Sequence, residues 1–174
     1  MRTWAMLVIP RLSTARLVLR EPRLADFDGY AANASDPLAR EYVEGALDRR
    51  EAFRRFAGLS GYWVLQGTGW WVVEQRDLGR AVGMVGVYQR ETQPAMHAEL
   101  EIGWAIYRAY WGQGFATEAA RAALEFAVTT PGARRVIAHV DRNNAPSLVV
   151  AGKLGMQCEG EVDFYGERKL RFAR

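Results

Sequence analysis

Trp104 to Glu125 reads WAIYRAYWGQGFATEAARAALE, and this stretch constrains the fold more than any other. An apolar strand end (Trp104, Ala105, Ile106, Tyr107) runs into a loop carrying Gly112 and Gly114. The loop opens directly into an Ala-rich helix. A helix start leaves about four backbone N–H groups without intrahelical partners. Its dipole end is positive, so it suits a phosphate or another anion. Glycines remove side chains where a ligand must approach the backbone closely. Strand, loop and helix together read as an anion cradle. The same local pattern is also that of an ordinary tight turn before a helix. It lacks the third glycine of a dinucleotide fingerprint and the Gly-Lys-Ser/Thr of a Walker loop.

A chain of 174 residues with 49% apolar and 25% charged residues is expected to form one globular domain, 1–174. The net charge of +3 is mild and its signs are interspersed, so no nucleic-acid partner is expected. A mildly basic surface still accommodates a polyanionic ligand. Cys158 is the single cysteine, which excludes an intramolecular disulfide and fits a reducing cytoplasm. The apolar run Trp4–Ile9 is broken by Pro10 and Arg11. It is too short for a signal sequence or a membrane span, so no membrane is expected.

In chain order, Leu12–Glu21 reads as a first strand and Asp26–Ala34 as a helix stopped by Asp36-Pro37. Asp48, with Glu51 three residues on, starts a second helix whose end is blurred by Gly58 and Gly61. Trp70–Gln75 and Ala81–Tyr88 form a hairpin about Arg76–Gly79, and Ala98–Ile106 follows as the next strand. A helix over Thr117–Thr129, a strand over Arg135–Val140 and a helix from about Ser147 to Leu154 come next. Met156–Tyr165 and Lys169–Phe172 close the sheet around Gly166.

Two separated motifs carry a resemblance. Trp111-Gly-Gln-Gly114-Phe-Ala116 is similar to the pyrophosphate loop of the GNAT superfamily of N-acetyltransferases, although Trp111 stands where Gln or Arg is general. Tyr-Trp-Gly-x-Gly-x-Ala-Thr-Glu-Ala is the wording of the branch containing the ribosomal-protein alanine acetyltransferases. Asn144-x-x-Ser147, followed by Lys153-Leu154-Gly155-Met156, resembles that family's second element, with Met156 in place of Phe. The resemblance covers the chain from about Leu12 and implies an α/β fold. Its central twisted mixed sheet would have six to seven strands, flanked by about four helices. It implies acetyl-CoA as co-substrate and an amine as acceptor, either a small molecule or a protein N-terminus.

Acetyl transfer to an amine requires a positioned thioester, a base for the ammonium proton, and donors for the developing oxyanion and thiolate. The resemblance places the pyrophosphate on the N–H groups of Gln113, Gly114, Ala116 and Thr117, within the loop begun by Trp111 and Gly112. It pairs Trp104, Ala105 and Ile106 with the pantetheine arm, and brings Asn144 to that arm from the other side. Asn144 is equally a cap residue before Pro146. Lys153 and Arg108 read as phosphate neighbours or as surface charge. His97, Glu99 and Glu101 share one strand face, either as a solvated polar face or as a site where paired carboxylates perturb each other. Glu101 matches the family's strand Glu and is the expected base; Glu159 is a second candidate.

The Tyr that many members use as acid is absent, because Ala151 occupies that position. Ser147 is then either the donor to the sulfur or a helix cap. Trp63, Trp70 and Trp71 read as core more readily than as an acceptor pocket. Cys158 reads as a small buried packing residue. With two histidines, His97 and His139, and one cysteine, no metal is expected. Monomer and homodimer both stay open. Rival readings are an acyl-CoA sensor without turnover and an RNA- or ribosome-associated protein.

Overall fold

The structure, a computed structural model, describes residues 8–89 and 99–174. His97 and most of the Gln89–Met96 loop therefore lie outside the described residues. Among the described residues, one mixed sheet of eight strands runs in the order β1-β2-β3-β4-β5-β6-β8-β7, with four α-helices. The strands are β1 Leu12–Ser13, β2 Leu17–Arg20, β3 Gly69–Gln75, β4 Arg80–Tyr88, β5 Glu99–Ile106, β6 Arg135–Val140, β7 Gln157–Phe164 and β8 Glu167–Ala173. The helices are α1 Phe27–Ala34, α2 Arg49–Gln66, α3 Phe115–Thr129 and α4 Ala145–Lys153. No helix among the described residues is long and apolar enough to cross a membrane.

The sheet has one strand more than the seven runs in the sequence, because Leu12–Glu21 is not continuous. The Thr14 hydroxyl accepts from the Leu17 N–H (2.9 Å), and the Thr14 N–H donates to the Leu17 carbonyl (2.9 Å). This side-chain-supported turn folds β1 back on β2, pairing Leu12 with Leu19. α2 begins as expected, with the Asp48 carboxylate capping the Glu51 N–H (2.7 Å). It does not end at Gly58 or Gly61. It runs to Gln66 and stops at Gly67, whose φ of 70° is the left-handed conformation of a C-terminal cap.

The larger core fills one face of the sheet beneath α3 and α4, with Trp71, Val85, Ile102, Ala120, Leu124 and Ala151 near its centre. A smaller cluster joins α1, α2 and the loop residue Leu47. Trp63 and Trp71 are core, but Trp70 is only partly buried, so the tryptophan group divides. Cys158 is exposed on the edge strand β7, contrary to its reading as a buried packing residue. Gln157 and Glu159 beside it are exposed as well, where a register shift between Cys158 and Gly160 interrupts the alternation of the strand.

Candidate active site

The central opening follows from strand pairing. β5 pairs antiparallel with β4 from Glu101 to Ile106. It pairs parallel with β6 only over Glu99–Glu101. Beyond Glu101 the two parallel strands diverge, leaving the β6-facing edge of β5 from Ile102 to Ile106 without a strand partner among the described residues. An unpaired strand edge offers N–H and C=O groups to an extended ligand. α3 and α4 both begin beyond the carboxyl ends of these strands, where open α/β sheets bind ligands.

The loop before α3 has the shape the glycines imply. Gly112 and Gly114 sit at φ 75° and 78°, a region that glycine enters freely. The first intrahelical bond is from the Glu118 N–H to the Gly114 carbonyl (3.1 Å), so the N–H groups of Phe115, Ala116 and Thr117 precede it. Gln113 and Gly114 lie immediately before the helix. Trp111 is exposed, yet its indole N–H donates to the Ile106 carbonyl (2.6 Å) and ties the loop to the end of β5.

Residues that sequence reasoning did not single out brace this loop. Arg16 donates from Nη1 to the Gln113 carbonyl (2.9 Å), lies over the Phe115 ring and pairs with Glu118 (2.7 Å). Glu118 also accepts from the Thr14 hydroxyl (2.5 Å) and the Arg16 N–H (2.9 Å). Burial pushes the Glu118 carboxyl upward, but these donors and the Arg16 charge outweigh it and hold the group below its ordinary value. No local pattern marks Arg16 or Thr14, because both meet α3 only in the folded chain. A groove of about 550 Å³ continues from this loop along α3 and is lined by Thr14, Gly114, Thr117, Arg121, Glu125 and Lys153. Lys153 thus lies beside the helix start. Arg108 does not, because it is bound to Asp36 (2.5 Å) and its N–H to Asn33 (3.3 Å).

At the other helix, the Asn144 carbonyl oxygen Oδ1 accepts from the Ser147 N–H (3.1 Å), the N-cap geometry of α4. Ser147 is therefore not the cap. Its hydroxyl accepts from the Trp104 indole (3.3 Å), a contact that links β5 to α4 on the side of the sheet that holds the larger core. Ala151 is fully buried in that core.

Glu101 lies on the opposite face, only 6% exposed. His139 of β6 places Nδ1 3.4 Å from Glu101 Oε1. Glu99 is engaged elsewhere, accepting twice from Arg171 (2.6 and 2.8 Å). Glu159 is bound to Arg135 and to Arg171 (3.4 Å), an ion-pair group rather than a second base. Among the described residues, no group of three His, Cys, Asp or Glu could hold a metal ion.

The loop between α1 and α2 is tied across the same ends of the strands. Lys169 of β8, almost wholly buried, donates to the Tyr42 carbonyl (3.3 Å) and to Asp141 (2.9 Å), just before α4. Burial pulls the Lys169 ammonium down, but Glu167 and Asp141 outweigh it and hold the group above its usual value.

Fold and cleft together are those of an α/β enzyme whose sheet opens beside a helix start. The chain belongs to the GNAT acetyltransferase family, since the family's acetyltransferase (GNAT) domain matches residues 16–157. It is an N-acetyltransferase of the acetyl-CoA-using GNAT type. The Bacillus subtilis protein YkkB is 33% identical over 129 residues, 70% of each chain. The crystal structure of an acetyltransferase from Agrobacterium tumefaciens superposes with a TM-score of 0.84 at 26% identity, covering 100% of this chain and 99% of that one. RimL, a ribosomal L7/L12 alpha-N-protein acetyltransferase in complex with coenzyme A, shares the fold with a TM-score of 0.76 at 14% identity, over 92% and 94% of the chains.

Proposed function

We propose that this chain is a single catalytic domain that transfers the acetyl group of acetyl-CoA directly to a primary amine in a ternary complex. The observation that carries this reading is the open edge of β5, which leads from the N-terminus of α3 to the buried carboxylate of Glu101. The N–H groups at Gln113, Gly114, Ala116 and Thr117 suit a pyrophosphate. The two glycines leave its approach free, and Trp111 fixes the loop they sit in. Arg121 and Lys153 give the groove beyond them a basic side. The strand backbone at Trp104, Ala105 and Ile106 suits the amides of the pantetheine arm. Asn144, whose Oδ1 is used as a cap, keeps its amide nitrogen for the same arm.

In the reaction, Glu101 takes a proton from the acceptor ammonium, directly or through one water. The neutral nitrogen attacks the thioester carbonyl carbon. The C–N bond forms, the C–S bond breaks and the sulfur leaves with the electron pair. Ser147 donates its proton to that sulfur, since the Trp104 indole occupies an acceptor site of the hydroxyl and leaves its hydrogen free to be given. The acylated nitrogen sheds its second proton, which restores the Ser147 hydroxyl through water, while Glu101 passes the first to solvent. With fully buried Ala151 in α4, that helix supplies no phenol for the task. The products are the N-acetylated amine and the free thiol.

The test is calorimetric titration with acetyl-CoA and with its adenine nucleotide portion alone, followed by thiol release across an amine panel. One-site binding that needs the pantetheine arm, with turnover on amines, is expected. No binding at millimolar acetyl-CoA overturns the site. Binding without turnover on any amine overturns the catalytic roles.

A further inference from the structure

The face of the sheet that carries Glu101 has an unusual surface around it. In register, Trp70 of β3 stands opposite Gly86 of β4, and Gly86 opposite Gly103 of β5. The indole lies flat across both glycines. A Cβ on Gly86 would sit 2.5 Å from Trp70 Cδ2, and one on Gly103 would sit 2.7 Å from Trp70 Cη2. Two adjacent strands have thus given up their side chains to seat one ring, and that ring reaches the strand that borders the cleft. In the next row of the same face, Tyr88 stands opposite Glu101. Tyr88 stacks with Trp70, with centroids 5.6 Å apart and planes at 28°.

On the other side of Glu101, the ring of His139 lies against Phe164 at 4.4 Å. The carboxylate that the proposed function assigns as base is therefore flanked by aromatic rings on both sides. Trp70 is partly exposed, unlike core Trp63 and Trp71. A purely space-filling role would not require it to be.

A carboxylate bordered by aromatic side chains is a recognition surface for an organic ammonium with a flat, apolar body. The charge is drawn to the carboxylate and to the ring faces, and the body stacks. Resting on the acetyltransferase reading above, we infer that the acceptor is a primary arylalkylamine, its ammonium directed to Glu101 and its ring held by Trp70. Trp70 is then the residue that sets acceptor specificity.

The experiment compares two amines of matched size and charge, 2-phenylethylamine and 2-cyclohexylethylamine, in the intact enzyme and in Trp70→Phe and Trp70→Leu. The wild type is expected to favour the aryl amine by about 5-fold in kcat/KM, the scale of one aromatic–aromatic contact. Trp70→Phe should keep most of that preference. Trp70→Leu should abolish it, with the KM for acetyl-CoA unchanged. Equal kcat/KM for the two amines in the wild type overturns the inference while leaving the acetyltransferase reading intact, and it decides the matter even if Trp70→Leu does not fold. A preference that survives in a folded Trp70→Leu overturns the role of Trp70. Acetyl-CoA binding with no turnover of any amine removes both readings together.

Discussion

Glu101 shows how one residue's setting assigns its task. Its neighbour in the pattern, Glu99, is consumed by two hydrogen bonds from Arg171, while Glu101 is buried beside the cleft with His139 at 3.4 Å. Glu101→Gln keeps the shape and removes the proton acceptor. It should lower kcat by roughly 100-fold or more, the usual worth of a positioned base, with acetyl-CoA affinity unchanged in calorimetry. A variant with full kcat would move the base elsewhere. Gly114 carries a different burden. At φ 78° an L side chain is strained by about 1 kcal/mol, although a Cβ there would meet only Arg16 Nη2 at 3.5 Å. Gly114→Ala should therefore cost about 1 kcal/mol in urea unfolding and weaken acetyl-CoA binding more than acceptor binding. Unchanged cofactor affinity would show that the loop does not need this conformation.

At the scale of elements, the turn between β1 and β2 is locked onto α3 through Glu118. Its carboxylate takes the Thr14 hydroxyl, the Arg16 N–H and the Arg16 guanidinium together. Glu118→Ala removes the shared acceptor of all three donors, although water reaches Arg16 and the Thr14 hydroxyl keeps the Leu17 carbonyl. It should destabilise by about 1–2 kcal/mol and also weaken acetyl-CoA binding, since Arg16 would lose its hold on the Gln113 carbonyl. A loss of stability with the cofactor affinity intact would make the lock purely structural. This lock also marks where sequence reasoning stops. The Gly loop, the order of strands and helices and the span of β6 are all legible, because each is written in a run of neighbouring residues. The split of Leu12–Glu21 into two strands depends on one threonine side chain. The continuation of α2 through Gly58 and Gly61, which face open space, depends on the burial of Ala52 and Phe56 before them and Trp63 after them. The divergence of β5 from β6, the Trp104–Ser147 contact and the aromatic seat of Trp70 join residues far apart in the chain, so no local period announces them. Nothing in the run RVIAHV sets His139 apart. Its place beside Glu101 comes from a parallel pairing that brings Glu101 opposite Ile137.

For the whole molecule, the charge inventory fixes how stability depends on pH. The chain carries 23 Lys and Arg and 20 Asp and Glu, so full protonation of the acids leaves a large positive charge unopposed. Several carboxylates are also held low by specific partners. The Arg11 hydrogen bond, working against burial and reinforced by Arg23, brings Glu21 down to about 2 from its ordinary value of 4.5. The Arg108 hydrogen bond, against burial, holds Asp36 below the usual range. The Asn143 N–H and then Lys169 do the same for Asp141. For each of these the folded state binds its proton more weakly than the unfolded chain. Their stabilisation is therefore complete above the unfolded value and is lost as pH falls through the folded one. Lys169, shifted upward, acts in the opposite sense, and its contribution fades only at high pH. Urea midpoints should then be flat from about pH 7 to pH 5 and fall steeply between about 4.5 and 2. Glu21→Gln should make that fall shallower while lowering the plateau only slightly, because Glu21 is one-third exposed and its ion pairs are screened. An acid limb of the same steepness in Glu21→Gln would show that overall charge repulsion, and not these paired carboxylates, drives unfolding in acid.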